Sequence, residues 1–135
     1  MKNKSLLMVS RDDKMTGGRI LIVDDDVTLT SIMLSRYKEK NYSVAVADNA
    51  NAALVLMKYT LFNLLIIDSY MDTMYADEFI KKVKRLDENI NIIVLSAQKS
   101  TENINYLLEI GASEIVKKPF SPKEMDEIIK KYIKE

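Results

Sequence analysis

The chain has 135 residues, and its 20 basic and 20 acidic side chains cancel to a formal net charge of zero. That length fits one ordinary domain, and 47% hydrophobic residues supply a core without disulfide or metal staples. With no Cys and no His, thiolate and imidazole metal sites, Ser-His and Cys-His catalysis and a phosphohistidine are excluded, and balanced charge argues against a generally basic nucleic-acid binder.

In chain order, Met1 to Gly18 carries little pattern. Ser5-Leu6-Leu7-Met8-Val9 is too short for a secretory apolar core, and no run approaches the roughly 18 to 20 apolar residues of a membrane span. Gly17-Gly18 marks a break. Residues 1–18 therefore read as a loosely ordered extension with room for a docked helix, and residues 19–135 as one domain.

From Arg19 onward two kinds of segment alternate. Five short aliphatic runs predict strands: Ile20–Val23, Ser43–Ala47, Leu64–Ile67, Ile92–Leu95 and Glu114–Val116. Four are nearly unbroken, as parallel strands covered on both faces should be. Between and after them lie helical periods: Leu29, Ile32, Met33 and Tyr37; Ala50, Ala53, Leu54 and Met57; Ala76, Phe79, Ile80 and Val83; Ile104, Leu107 and Leu108 before Gly111; and Met125, Ile128, Ile129 and Tyr132. Ser121, Pro122 and Glu124 supply an N-cap, a proline at the first helical position and an acid at the third. Tyr106 lies about 200° around the fourth helix from Ile104, which points it outward as a candidate partner contact. Five strands each followed by a helix predict a doubly wound α/β fold with a five-stranded parallel sheet flanked by five helices.

In such sheets ligands bind beyond the carboxyl ends of the strands. The first strand runs into Asp24-Asp25-Asp26, the third into Asp68, the fourth into Ser96-Ala97 and the fifth into Lys117-Lys118-Pro119-Phe120. Asp26 reads as a helix-capping acid and Lys117 as a solvated neighbour. Asp24, Asp25, Asp68, Ser96 and Lys118 thus converge on one sheet edge. Two like charges about 4 Å apart repel by roughly 4 kcal/mol at an effective dielectric near 20, so these carboxylates call for a cation. Oxygen-only donors suit Mg²⁺, and a carboxylate beside Mg²⁺ can accept a phosphoryl group as an acyl phosphate.

These residues, in this order over residues 19–135, resemble a two-component response-regulator receiver domain. The resemblance implies a flavodoxin-like strand order 2-1-3-4-5, a phosphoacceptor at Asp68, and Mg²⁺ held directly by Asp25, Asp68 and the backbone carbonyl of Tyr70, and by Asp24 through water. It implies that Lys118 pairs with Asp68 or its phosphoryl group, and that Ser96 moves toward that group on activation. It also implies a histidine kinase or histidine phosphotransfer protein as donor, a downstream protein target, no direct nucleic-acid or membrane contact, and a cytoplasmic location. The chain would be a phosphoacceptor that assists its own phosphorylation and dephosphorylation, not a turnover enzyme. With the fifth helix expected to run to Glu135, 135 residues leave no output module, so the expectation is a stand-alone, chemotaxis-type receiver acting through protein contacts.

Three positions depart from the family pattern. After Asp68 the family carries Met-Pro and then Gly, where this chain has Met71-Asp72 and Ala76. Ile115 stands where Tyr or Phe is usual, which predicts a muted or replaced aromatic switch. Tyr70 adds a ring on the path of water toward Asp68.

Three alternatives stand beside this reading; one is an excised regulatory domain of a DNA-binding regulator, set aside because the fifth helix is expected to run to Glu135 with no linker or output module. Asp24-Asp25-Asp26-Val27-Thr28-Leu29 resembles the opening of haloacid-dehalogenase-type phosphatases, but the acidic pair expected after Lys118 is represented only by helical Glu124, Asp126 and Glu127. A pseudo-receiver that binds proteins without taking phosphate is disfavoured because all five chemical positions are intact.

Overall fold

A computed structural model describes residues 17–97 and 103–134 of the chain. The expectations for the first sixteen residues, including a docked helix, lie outside the described residues. The elements are β1 (Arg19–Val23), α1 (Val27–Glu39), β2 (Ser43–Ala47), α2 (Ala50–Tyr59), β3 (Leu64–Asp68), α3 (Ala76–Leu86), β4 (Asn91–Ser96), α4 (Ile104–Ile110), β5 (Glu114–Lys117) and α5 (Pro122–Tyr132). The strands form one parallel sheet in the order β2-β1-β3-β4-β5. This is the flavodoxin-like order that the resemblance implied.

The unbroken apolar runs exist because the three central strands are covered on both faces. Leu21, Val23, Leu65, Ile67, Ile92 and Val94 face one core with Ala50 and Ala53 of α2, Phe79, Ile80 and Val83 of α3, and Leu107 of α4. Ile20, Ile22, Leu64, Ile66, Ile93 and Leu95 face the other with Met33 and Tyr37 of α1 and Met125, Ile128 and Ile129 of α5. Burying one such side chain is worth about 1.5–3 kcal/mol, so the alternation fixes the register of the whole sheet.

Four of the five helix starts are chemically capped, and at α3 the capping position holds Tyr75, which makes no side-chain cap. The side chains of Asp26, Asn49, Asn103 and Ser121 accept from the backbone amides of Leu29, Ala52, Tyr106 and Glu124 at 2.8–3.0 Å. Each satisfies a donor that the first helical turn leaves without a carbonyl.

Two expectations need correction. Ile32 falls on the apolar period of α1 but is 57% exposed, and Thr30 is buried instead, its hydroxyl donating to the carbonyl of Val27. The fifth helix stops at Tyr132 rather than reaching Glu135: Ile133 leaves helical geometry and buries its side chain at the foot of β1. There Gly18, at φ +134, leaves no room for a Cβ, which would lie 2.7 Å from Ile133 Cγ2.

Candidate functional site

Backbone bonds carry the ladders past the strand ends and so place the polar residues. The amides of Asp24, Ser69 and Lys118 donate to the carbonyls of Ala47, Leu95 and Ser96 at 3.1, 2.8 and 2.8 Å. Asp68 closes β3 opposite Leu95, and Ser96 closes β4 opposite Lys117. One carboxylate oxygen from each of Asp24, Asp25 and Asp68 lies within 4.8 Å of the others. The sequence-predicted acids are brought together, with Asp24 buried, Asp68 half-buried and Asp25 exposed.

Each buried charge has partners. Asp24 accepts from the Asp26 amide at 3.0 Å through Oδ1 and from Lys118 Nζ at 3.2 Å through Oδ2. Asp68 Oδ1 accepts from Lys118 Nζ at 3.5 Å and from the Tyr70 amide at 3.4 Å. Burial pushes the Asp68 carboxyl above its ordinary range and the Asp24 charge adds to the rise, while Lys118 and the Tyr70 amide only partly oppose them. Burial pulls the Lys118 ammonium down, but Asp24 and Asp68 together outweigh it and its pKa ends raised. Asp24 and Asp68 therefore share the Lys118 ammonium, and with Asp25 beside them these four described residues carry net negative charge.

Ser96 is fully buried, and its hydroxyl donates to the Ala97 carbonyl at 3.3 Å. The Tyr70 ring is 73% exposed. It lines a cleft of about 150 Å³ together with Val23, Asp24, Asp25, Asp48, Asp72 and Thr73, among others. The neighbouring Asp72 carboxylate raises the pKa of the Tyr70 phenol.

The loop departures have a local explanation. Ala76 is the first residue of α3 and is buried, so that position asks for helical backbone rather than for glycine. Asn41 is the one non-glycine residue with positive φ among the described residues, so nothing between Asp68 and Ala76 needs glycine. Ile115 packs half-buried against the core beneath α2, α3 and α4. Tyr106 does not point freely outward: it is half-buried, with Lys81 Nζ of α3 lying 5.5 Å from its ring centroid.

Two features were not anticipated. Asp48 and Asn49 line the cleft, and reading the end of β2 as the other strand ends were read would have found them. The Lys118–Pro119 peptide bond is cis, for which Lys-Pro alone gives no signal. The acids beyond Lys118 do not form a second metal pair. Asp126 is committed to the seam between α1 and α5, where it accepts from Arg36 Nε at 2.9 Å and from the Tyr37 hydroxyl at 2.8 Å.

Residues 20–130 match the family model described as "Response regulator receiver domain". The nisin biosynthesis regulatory protein NisR of Lactococcus lactis subsp. lactis is 33% identical over 107 residues, covering 79% of this chain and 46% of that protein. This chain thus spans about half the length of the curated relatives it matches. Among solved structures, a CheY-like response regulator receiver domain protein from Methanospirillum hungatei JF-1 is 29% identical with a TM-score of 0.81, covering 86% of this chain and 93% of that one. The receiver domain of the Francisella response regulator 1452 is 26% identical with a TM-score of 0.78, covering 87% and 97%.

Proposed function

The chain belongs to the response-regulator receiver family, and from that premise we propose that Asp68 accepts a phosphoryl group from a phosphohistidine on a separate protein. The observation that carries this reading is the placement of Asp68 beside both Lys118 and the paired acids Asp24 and Asp25 at one sheet edge. Having no histidine of its own, the chain depends on a histidine kinase or histidine phosphotransfer protein as donor.

In the transfer, an Asp68 oxygen bonds to phosphorus while the phosphorus–nitrogen bond to imidazole breaks and its electron pair leaves with the nitrogen. Burial and the Asp24 charge hold the Asp68 carboxyl above its ordinary range, which makes its carboxylate a better nucleophile. Lys118, 3.5 Å from the attacking carboxylate, offsets charge on the phosphoryl oxygens, which carry most of the negative charge of a loose transition state. Ser96, at the end of the adjacent strand, supplies a hydroxyl for a phosphoryl oxygen.

The donor set fits Mg²⁺: it is all oxygen, three carboxylates come within reach of one ion, and among the described residues the ammonium paired with them is that of Lys118. Asp25, Asp68 and the Tyr70 carbonyl would hold it, with Asp24 acting through water. When bound, the ion neutralises phosphoryl oxygens and offsets repulsion among the acids.

The chain acts as a phosphoacceptor and not as a turnover enzyme, and it delivers its signal to a downstream protein by a change of surface in the cytoplasm. Among the described residues no helix is long and apolar enough to cross a membrane. Because its matched relatives are about twice as long, the length of this chain says nothing about an output module. The haloacid-dehalogenase alternative lacks its second acidic pair, since Asp126 is taken up by Arg36 and Tyr37.

The test is incubation with a phosphorylated histidine phosphotransfer protein, or with acetyl phosphate, in Mg²⁺. One hydroxylamine-sensitive phosphoryl group per chain, absent in Asp68→Asn, is expected. No labelling, together with an amide NMR spectrum unmoved by beryllofluoride and Mg²⁺, would support a protein-binding pseudo-receiver instead.

A further inference from the structure

Helix α2 carries two apolar stripes where a surface helix needs one. The first includes the buried Ala50 and Ala53 and packs on the core. The second, Ala52, Val55, Leu56 and Tyr59, repeats the same i, i+3, i+4, i+7 spacing on an adjoining face. On it Val55 is 53% and Tyr59 56% exposed, and Leu61, just past the helix, is 43% exposed. Of the ten residues of α2, Lys58 alone is charged. The outer faces of α3 and α5, by contrast, hold the Glu78–Lys82 and Glu127–Lys130 ion pairs. A helix that is apolar on more than one face is ordinarily covered on more than one.

Beside this face the chain enters β1. The Gly17 amide donates to the Asn41 carbonyl at 2.6 Å, and the Ser43 amide to the Gly18 carbonyl at 2.8 Å. On the other side the Arg19 amide donates to Asn63 Oδ1 at 2.7 Å, and Asn63 closes the turn that leaves α2 through Leu61. The chain before Gly17 therefore emerges at the Tyr59 end of the exposed stripe. It carries Leu6-Leu7-Met8-Val9, joined to Gly17 by the seven residues Ser10 to Thr16. Seven residues reach up to about 24 Å when extended, whereas a helix the length of α2 measures roughly 15 Å. The joining residues include Asp12 and Asp13, opposite in charge to Lys58 in the last turn of α2.

We propose that Leu6-Leu7-Met8-Val9 docks on the Val55, Tyr59 and Leu61 face of α2 in the same chain, with Asp12 and Asp13 passing Lys58. Three exposed apolar side chains fall well short of the roughly 800 Å² that each partner gives to a stable complex, so a second copy would hold weakly there. A tethered segment meets the same face at an effective concentration on the order of mM, at which few contacts suffice. The exposed stripe ends at the foot of the sheet, while Asp68 closes β3 at the opposite edge. The docking is thus independent of whether Asp68 takes phosphate.

The chain has no cysteine, so Ser5→Cys provides a single thiol for a nitroxide spin label beside the apolar run. In amide NMR spectra of the full chain, the label is expected to cost residues 52–61 most of their intensity and to leave α5 unaffected. Leu7→Ser with Met8→Ser in the labelled chain is expected to restore the lost signals, and so is Tyr59→Ser on the receiving face, with unmoved α5 shifts reporting an intact fold. No loss at α2 overturns the docking. So does a loss spread evenly around the foot from Asn41 to Leu86, or one that the serine substitutions leave in place, since a tether alone produces either. Loss in an isotope-labelled chain mixed with a separate spin-labelled one assigns the face to a second copy and overturns it equally.

Discussion

The ammonium of Lys118 lies 3.5 Å from the Asp68 carboxylate, yet the pKa of Asp68 remains above its ordinary value. Burial and the neighbouring Asp24 charge outweigh the lysine, which is 3.2 Å from Asp24 and divides its charge between the two. The edge is therefore electrostatically unfavourable in the absence of a cation, and this has a consequence for stability. A carboxyl whose folded pKa lies above its unfolded one favours folding fully below the unfolded pKa and loses that advantage as pH rises through the folded pKa.

Asp68→Asn should accordingly raise the unfolding midpoint in metal-free buffer at neutral pH. The gain should fade as pH is lowered through the folded pKa and vanish below the ordinary carboxylate value near 3.8. Mg²⁺ should stabilise the parent by about 2.7 kcal/mol at a hundred times its dissociation constant, and the variant by less. Thermal melts with and without chelator decide the matter; an equal or lower midpoint for Asp68→Asn without metal contradicts the account.

Tyr70 places an exposed ring at the cleft that Asp24 and Asp25 line, while its amide donates to Asp68. On the phosphoacceptor reading, we expect this side chain to shield a phosphoryl group on Asp68 from attacking water. Tyr70→Asn should shorten the lifetime of the phosphorylated protein several-fold without changing how much label Asp68 takes up. A pulse of phosphodonor followed by chase measures it, and a longer-lived variant rules out shielding by the ring.

Much of this edge was legible before any coordinates, because the signal is simple. Three central strands covered on both faces must be apolar throughout, so a polar residue at the end of such a run stands out. Asp24, Asp68 and Ser96 all follow runs of that kind, whereas Lys118 follows the short edge strand β5 and stands out by its place in Lys-Pro-Phe. Asp48 follows β2, an edge strand whose residues are mostly exposed or half-exposed, and there the contrast between strand and strand end disappears. Tyr106 was misread for a different reason. Helical periodicity gives the direction of a side chain from its own axis but carries nothing about Lys81, which reaches it from another helix. The early stop of α5 has the same origin: Ile133 is drawn out of the helix by a site at Gly18, distant in sequence.

Gly111 closes α4 at φ +136, a backbone conformation that residues with a Cβ rarely adopt. Gly111→Ala should cost about 1–3 kcal/mol, mostly from the backbone. The clash is with the stem of Lys84, which can move. Removing it in the double variant Lys84→Ala, Gly111→Ala should therefore recover little of the loss in urea denaturation. Near-complete recovery would place the cost in the steric contact instead.

Asp126 ties α5 to α1 through three donors: the two-pronged guanidinium of Arg36, and the hydroxyl of Tyr37 at 2.8 Å. Arg36 first, and then Tyr37, hold the Asp126 carboxyl down at about 2 although burial opposes them, and burial with the same hydrogen bond pushes the Tyr37 phenol well up. Tyr37→Phe removes one donor and leaves Asp126 its guanidinium, which should cost about 1 kcal/mol. Asp126→Ala should cost more, about 2–3 kcal/mol, since it leaves the buried phenol without its acceptor. A depressed carboxyl pKa contributes stability that is complete above the unfolded value near 3.8 and is lost as pH falls toward 2. The difference in stability between the parent and Asp126→Ala should therefore be full at pH 5 and shrink progressively between pH 4 and pH 2. Urea midpoints of both proteins across that window measure it, and a difference that stays constant would mean that packing at the seam, rather than the ionised carboxylate, holds α5 to α1.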